Sequence, residues 1–303
     1  MKRGNTLKRK KINDNLTGWL FILPMVVGTL CFLAFPLIFA LIISFWKYQN
    51  FQFVEFVGFQ NYSDIFYDEY FMKGMINILI SCIGVPIGIL LSLILTNIMV
   101  ANPKFSIVFK TIYFIPTICG AVAITFIWKW MYAPMYGLIN TFLMKVGWAE
   151  KSIGFLGREY FLPSLMVMGI WSGLGVSILL FFASLKSVSK QLYEAASIDG
   201  ANFFQKFIHI TLPAVSPTTF YILITGISGT LQEFSRFQIM RGGTGAITLW
   251  SVTPTWWIYY NTTAASGFNY GYASAMGIFL GILILIVSAL QFVGSKLWVN
   301  YDS

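Results

Sequence analysis

Apolar residues gather in six stretches along the chain, at 16–46, 75–100, 107–130, 161–185, 212–231 and 272–297, with short polar intervals between them. Each is about 20 residues or longer, the length at which a helix crosses the hydrocarbon of a bilayer. The first stretch follows Lys8, Arg9, Lys10 and Lys11, as a signal peptide would. Its apolar region is too long for one, and no small-residue cleavage site closes it, so it reads as a retained helix. Pro24 and Pro36 are expected to kink it or to start turns within it. The pattern predicts an all-α polytopic membrane protein with six transmembrane helices. A basic tail occupies 1–15, a single membrane domain 16–297 and a short C-terminal tail 298–303.

Composition agrees with lipid as the solvent. Charged residues make up 10% of the 303 positions, against about 25% in soluble domains. Mean hydropathy is +0.73. Aromatics at 18% fit membrane–water interfaces, where Trp and Tyr collect. The net charge of +9 raises the question of nucleic acid, but the basic residues form no stripe interleaved with exposed aromatics. Topology explains them better, because cytoplasmic loops accumulate Lys and Arg. With six spans, the N-terminal tail, the second–third loop, the fourth–fifth loop and the C-terminus share one side, which holds twelve of the 20 Lys and Arg. The other side holds Lys47, Lys73, Lys129, Lys145, Lys151, Arg158, Arg236 and Arg241 in longer loops that carry most of the acids. Both termini are therefore expected in the cytoplasm. Cys31, Cys82 and Cys119 each sit in an apolar run, and their odd number gives no disulfide framework.

The most informative polar interval lies between the fourth and fifth spans, at about 186–212. It reads as two short helices with a turn. Ser187 or Ser189 can cap the first helix, Lys190 and Glu194 stand four apart, and Gly200 suits the left-handed position that ends it. Asn202 can cap the second helix, whose Phe203, Phe207 and Ile210 share a side. On residues alone this is either an ordinary helical loop or a docking surface. Small flat side chains beside aromatic ones favour the latter.

The run Glu194-Ala195-Ala196-Ser197-Ile198-Asp199-Gly200-Ala201, followed by Phe207, Ile210, Leu212, Pro213 and Pro217, resembles the EAA loop of binding-protein-dependent ABC importer permeases. The opening helix with Leu23-Pro24, Phe35-Pro36 and Ser44-Phe45 is similar to the carbohydrate (MalF/UgpA-like) branch. So are Val57-Gly58-Phe59-Gln60-Asn61-Tyr62 and Tyr270-Gly271-Tyr272-Ala273-Ser274-Ala275. Two departures stand out: Gly242-Gly243-Thr244 where the branch has Gly-Gly-Pro, and Ser235 where an aspartate is expected.

The resemblance implies a permease of the bacterial cytoplasmic (inner) membrane that moves a sugar or oligosaccharide by alternating access. The EAA loop would seat in a cleft of a cytoplasmic ATPase, with Glu194 as its anchor and Gly200 as its turn. The implied partners are a second permease subunit, two ABC ATPase subunits holding ATP and Mg, an extracytoplasmic solute-binding protein, the sugar and membrane lipid, with no nucleic acid. No GxxxxGK[ST] phosphate loop occurs in the sequence, so the energy must enter through another subunit.

Candidate cargo-path residues are Asn77, Trp171, Ser172, Ser177, Thr225, Thr230, Gln232 and Glu233, of which the resemblance favours Ser172, Thr230 and Gln232. Ser and Thr in membrane helices more often bond backbone or a neighbouring helix. Trp128, Trp130 and Tyr132, and likewise Trp256, Trp257, Tyr259 and Tyr260, read first as interface belt or lip packing. His209 has no second ligand at helical spacing, so no metal site is expected. An enzyme is disfavoured because no catalytic constellation appears. An ion-coupled secondary transporter is disfavoured for want of charged relays and repeats. Glycerol-3-phosphate or another polar solute is the alternative cargo. A phosphate ester would favour Arg or Lys at mid-membrane, and the apolar pattern places none there.

Overall fold

The computed structural model of the protein describes residues 17–101, 103–241 and 248–300. The basic tail at 1–15, the run Gly242-Gly243-Thr244 and residues 301–303 lie outside the described residues. In chain order the elements are α1 (Thr17–Ile43), β1 (Trp46–Gln49), β2 (Gln52–Phe56), α2 (Gln60–Ile65), α3 (Glu69–Ser81) and α4 (Gly84–Ala101). Then come α5 (Pro103–Ile118), α6 (Ala121–Met131), α7 (Leu138–Lys145), α8 (Phe161–Ser187), α9 (Lys190–Ile198) and α10 (Phe203–Ala214). The chain closes with α11 (Ser216–Leu231), α12 (Ser235–Arg241), α13 (Pro254–Asn261) and α14 (Tyr270–Ser295).

Four helical stretches are long and apolar enough to cross a bilayer: α1, α3–α4 over Glu69–Val100, α8 and α14. At the other two expected stretches, pairs of helices pass the same test only together and are bent. The Thr111–Ile118 part of α5 meets α6 at 113°, and α10 meets α11 at 65°. Both breaks have a local cause. Pro116 lies inside α5, and Gly120 is extended at the start of α6. Pro217 has no N–H to give the carbonyl four residues back, and its ring clashes there, so the helix resets at Val215.

Prolines also explain two wide turns. A π-turn at Leu30–Ala34 ends two residues before Pro36, and another at Phe207–Thr211 ends two residues before Pro213. In each, the N–H just past the turn reaches a carbonyl five residues back, Phe35 to Leu30 and Leu212 to Phe207. The extra residue takes up the register shift that a missing donor imposes.

The described chain forms two compact units. The first comprises the chain up to Asp64 with Tyr260–Phe279. It holds the one departure from an all-helical protein among the described residues, the antiparallel hairpin β1–β2. Asn50 and Phe51 turn it with φ of 48° and 62°, the paired left-handed conformation of a tight two-residue hairpin turn. Aromatic and polar residues alternate from Trp46 to Gln49, the strand period, and Trp46 packs edge-on against Phe53 and Phe56. Asn61 fixes the hairpin to the end of α1 by donating to the Ser44 carbonyl at 2.8 Å and the Trp46 carbonyl at 3.1 Å. Gly271 lies so close to the Trp46 carbonyl that a Cβ there would collide.

The second unit comprises Ile65–Tyr259 with Leu280–Ser303. α8 is its centre and packs against α4 and α5. The approach is close because Gly175 faces the Tyr113 carbonyl and the Thr117 methyl, where a Cβ would clash. Gly226 on α11 does the same for Val85. Such small-residue contacts let helices pack where lipid offers no hydrophobic drive. Trp128 and Tyr132 belong to this core rather than to an interface belt. Trp128 meets Trp171 edge-on at 5.5 Å, and the Tyr132 hydroxyl donates to the Ser164 carbonyl at 2.8 Å. Trp130 is exposed. The C-terminal residues are held as well: Val299 is buried, and the Asn300 N–H donates to the Ser216 hydroxyl at 2.9 Å.

Candidate functional site

Two places in the second unit concentrate the residues singled out from sequence. The first is the segment from α9 to α11. Ser189 caps α9 by accepting from the Gln191 N–H. Asp199 ends the helix, and Gly200 follows at φ 77°, in the left-handed region. The Ala201 N–H then returns to the Ala196 carbonyl at 2.9 Å. Asn202 and Gln205 form a reciprocal capping box at the start of α10. Tyr193 and Thr211 join the two helices hydroxyl to hydroxyl, and Lys206 donates to the Ser197 hydroxyl at 2.7 Å. Glu194 and Lys190 are exposed and form no ion pair with each other. Glu194, Ala195 and Asp199 are exposed with Gly200, whereas Ala196, Ala201, Phe207, Ile210, Pro213 and Pro217 are partly covered. Large apolar side chains beside them stand out from the surface, Ile198 at 87% and Phe203 at 76% exposure. Leu212 is exposed too.

The second place is a cavity of about 310 Å³ between α3–α4, α8, α11 and α12. Six glycines line it, two from each wall: Gly84 and Gly88, Gly169 and Gly173, Gly226 and Gly229. Three of the four hydroxyls at its surface are turned back to their own helices, and Ser177 is the fourth. Ser81 donates to the Asn77 carbonyl, Thr225 to Tyr221 and Thr230 to Gly226, at 2.9, 2.7 and 2.9 Å. The remaining polarity is the Ser177 hydroxyl and a charged pair. Glu233 and Arg236 approach to 2.6 Å across one turn, and the other Glu233 oxygen accepts from the Arg236 backbone N–H at 3.1 Å, capping α12. The Glu233 carbonyl is held by the Thr255 hydroxyl at 2.8 Å.

Arg236 reaches the wall of α8. A Cβ built on Gly169 would lie 2.7 Å from its Nη1. Gly169 is eight residues into α8, about 12 Å along a helix of about 40 Å. Arg236 thus stands beside the first third of α8 rather than its middle, where the sequence places no basic residue. Residue order put Arg236 in a loop after the fifth span, but α11 ends at Gln232 and the first turn of α12 brings Arg236 and Phe237 to the cavity. No period in the sequence announces that turn. The signal that existed was the spacing Glu233–Arg236, one helical turn, in an otherwise uncharged stretch.

Of the expected cargo-path residues, Ser177, Thr225, Thr230 and Glu233 line the cavity. Trp171 packs on Trp128 in the core, and Ser172 donates to the Gly169 carbonyl at 3.0 Å. Gln232 is exposed and donates to the Ser228 carbonyl at 3.0 Å. Asn77 is buried away from the cavity, with its amide nitrogen donating to the Leu249 and Val252 carbonyls at 2.8 and 3.0 Å. At the far end of α12, Arg241 lies 3.8 Å above the Trp256 ring. Burial lowers its pKa from the ordinary range, and Tyr70 opposes that shift. Trp257 stacks on Tyr70 at 4.6 Å and donates to Asp68 at 2.7 Å, so the aromatic rim is packed and hydrogen-bonded.

Comparison with known proteins gives a consistent picture. The chain is 33% identical over 281 residues to the arabinooligosaccharides transport system permease protein AraP of Bacillus subtilis (strain 168), covering 90% of this chain and 86% of AraP. It is 28% identical over 286 residues to the lactose transport system permease protein LacF of Rhizobium radiobacter, covering 93% and 95%. Its fold matches a chain in the crystal structure of a bacterial ABC transporter involved in import of the acidic polysaccharide alginate. That match has a TM-score of 0.81 at 24% identity and covers 96% of this chain and 99% of the other. The model of the binding-protein-dependent transport system inner membrane components matches residues 84–296, the region that holds both the α9–α11 segment and the cavity. The chain belongs to that family and is a multi-pass membrane permease component.

Proposed function

We propose that this chain is a permease subunit of an ABC importer that carries a sugar or oligosaccharide into a bacterial cell by alternating access. Each bent helix pair counts as one span, giving six, with both termini cytoplasmic and the α9–α11 segment on the cytoplasmic side. That segment is the coupling loop: Glu194 and the Ala195–Ala196 surface seat in a cleft of a separate ATPase, which holds ATP and Mg. A second permease subunit, two ATPases and an extracytoplasmic solute-binding protein complete the machine. Lipid and the second permease cover the apolar side chains of α1, of which Phe21 and Phe32 are 83% and 86% exposed. The membrane domain is 16–297, with short tails at 1–15 and 298–303.

The observation that carries this reading is the glycine-lined cavity beside α8 in a family built to pass solutes. Glycine walls bring backbone close to a ligand and leave room for a bulky, non-ionic ring. The relatives named for lactose and arabinooligosaccharides support a saccharide. Arg236 in the cavity favours a second reading, a phosphate ester such as glycerol-3-phosphate.

Uptake of labelled saccharides by cells expressing the whole transporter tests the proposal. Glu194→Ala should abolish uptake without loss of membrane insertion. Gly173→Leu and Gly229→Leu should block it by filling the cavity, since a Cβ at either position meets nothing within 4 Å and the fold can accept it. Undiminished saccharide uptake in all three variants would overturn the reading, and uptake of a phosphate ester alone would replace the cargo.

A further inference from the structure

We propose that the Glu233–Arg236 pair is the element that reads cargo in this cavity: a charge-balanced clamp for a vicinal diol of a neutral sugar, which also turns anionic cargo away. The inference rests on the reading of the cavity as the cargo path.

The chemistry follows from what the cavity offers. Its threonine hydroxyls and Ser81 donate to their own helices, so they present acceptors and little else. The Ser177 hydroxyl on α8 is a single neutral group that cannot supply both a charged donor and a charged acceptor. Free N–H donors must come from Arg236, which has five and gives Glu233 one side-chain contact, at 2.6 Å. Free strong acceptors must come from the Glu233 carboxylate. A diol has on adjacent carbons the two functions this pair can meet, one hydroxyl donating to Glu233 and its neighbour accepting from Arg236. Gly169 gives the guanidinium room, because a side chain there would push the flexible end of Arg236 aside.

The same pair argues against an anion. Arg236 alone, about 12 Å along α8, would draw carboxylates and phosphates into the cavity. Glu233 cancels that attraction at contact distance, and an incoming anion meets its carboxylate. One unit charge at such range shifts the local concentration of a charged ligand by about tenfold or more. The phosphate-ester cargo that Arg236 alone would favour is thereby disfavoured, as is a uronic acid.

A cysteine reporter tests the pair whichever saccharide the transporter carries. The assembled transporter is prepared with Cys31, Cys82 and Cys119 replaced by alanine and with Ser177→Cys on the cavity wall. Modification rates are measured with sulfonatoethyl and trimethylammonioethyl methanethiosulfonate, reagents of similar size and opposite charge. The ratio of anionic to cationic rate should rise about tenfold in Glu233→Gln and fall about tenfold in Arg236→Gln. Lactose, maltose or arabinobiose should slow modification in the parent and lose that protection in both variants. Digalacturonate should protect only in Glu233→Gln. An unchanged rate ratio in both variants, with neutral sugars still protecting the parent, overturns the clamp and leaves the cargo path standing. Protection by no saccharide in the parent, with the ratio responding as expected, overturns the cargo path instead. A reporter that reacts with neither reagent in any nucleotide state marks a sealed cavity and overturns both.

Discussion

The hydroxyls of Tyr193 and Thr211 lie 2.9 Å apart, joining α9 to α10 across the turn that carries Gly200. Thr211 is buried and Tyr193 partly so, and a second bond, Lys206 to Ser197, lies nearer the turn. The two bonds make the helix pair a stiff lever. A hydrogen bond of this kind contributes about 1 kcal/mol net, so Tyr193→Phe should leave expression and melting temperature close to the parent. Under the proposed coupling role, slack in the lever should lower transport per ATP hydrolysed severalfold, because motion is absorbed between α9 and α10. Uptake and ATPase rates measured on the same proteoliposomes check this. An unchanged ratio would show that the bond does not transmit force.

Gly200 is the next test of the same segment. Its φ of 77° places it where a Cβ costs about 1–2 kcal/mol, although nothing lies within 4 Å of the site. Gly200→Ala is therefore strained by backbone alone and should reduce uptake partially. Gly200→Asn, which tolerates the left-handed region better, should recover most of it. Equal uptake by glycine, alanine and asparagine forms would show that the turn is free to adopt another conformation.

How much of this was legible in the sequence differs by element. In the α9–α10 segment the local structure was legible: Ser189, Gly200 and Asn202 take the capping and turn positions their chemistry favours, although Lys190 and Glu194 do not pair. Local chemistry suffices there because caps and turns answer to neighbours within four residues. The apolar runs gave the spans, yet the bends at Gly120 and Val215 did not emerge from hydropathy, which is blind to direction. The β1–β2 hairpin was missed because its strands begin at Trp46, where the first apolar run ends, and are only four and five residues long, too short for their alternation to stand out beside it. The cavity was least legible. Glycines at 84, 88, 169, 173, 226 and 229 come together only through the packing of three helices distant in sequence.

Asn77 separates a cargo contact from a structural one. Its amide nitrogen donates to the Leu249 and Val252 carbonyls, tying α3 to the stretch before α13. Replacing it with leucine leaves two carbonyls without this donor in a buried place, at a cost of about 1–3 kcal/mol. Asn77→Leu should lower the melting temperature in detergent and the yield of folded protein, and reduce uptake of every cargo in proportion. A selective change in cargo preference at normal stability would mean that the amide also meets the solute.

Close helix approach around Gly175 sets the strictest steric limit in the second unit. A Cβ there would run into the Tyr113 carbonyl and the Thr117 methyl, so α5 and α8 cannot keep their separation once the glycine is replaced. Backbone atoms form much of the obstacle, and no rotamer change relieves it. Gly175→Ala should destabilise the chain by about 1–3 kcal/mol, and Gly175→Val by more, read as a graded fall in melting temperature in detergent. Gly173, two residues away, supplies the control: nothing lies within 4 Å of its built Cβ, so Gly173→Ala should melt like the parent. Because α5 joins the bent pair through Pro116 and Gly120, pushing it off α8 should also slow the transport cycle beyond what the stability loss explains. Uptake normalised to folded protein checks that second effect. A Gly175→Ala form as stable and as active as Gly173→Ala would show that the two helices do not need this contact.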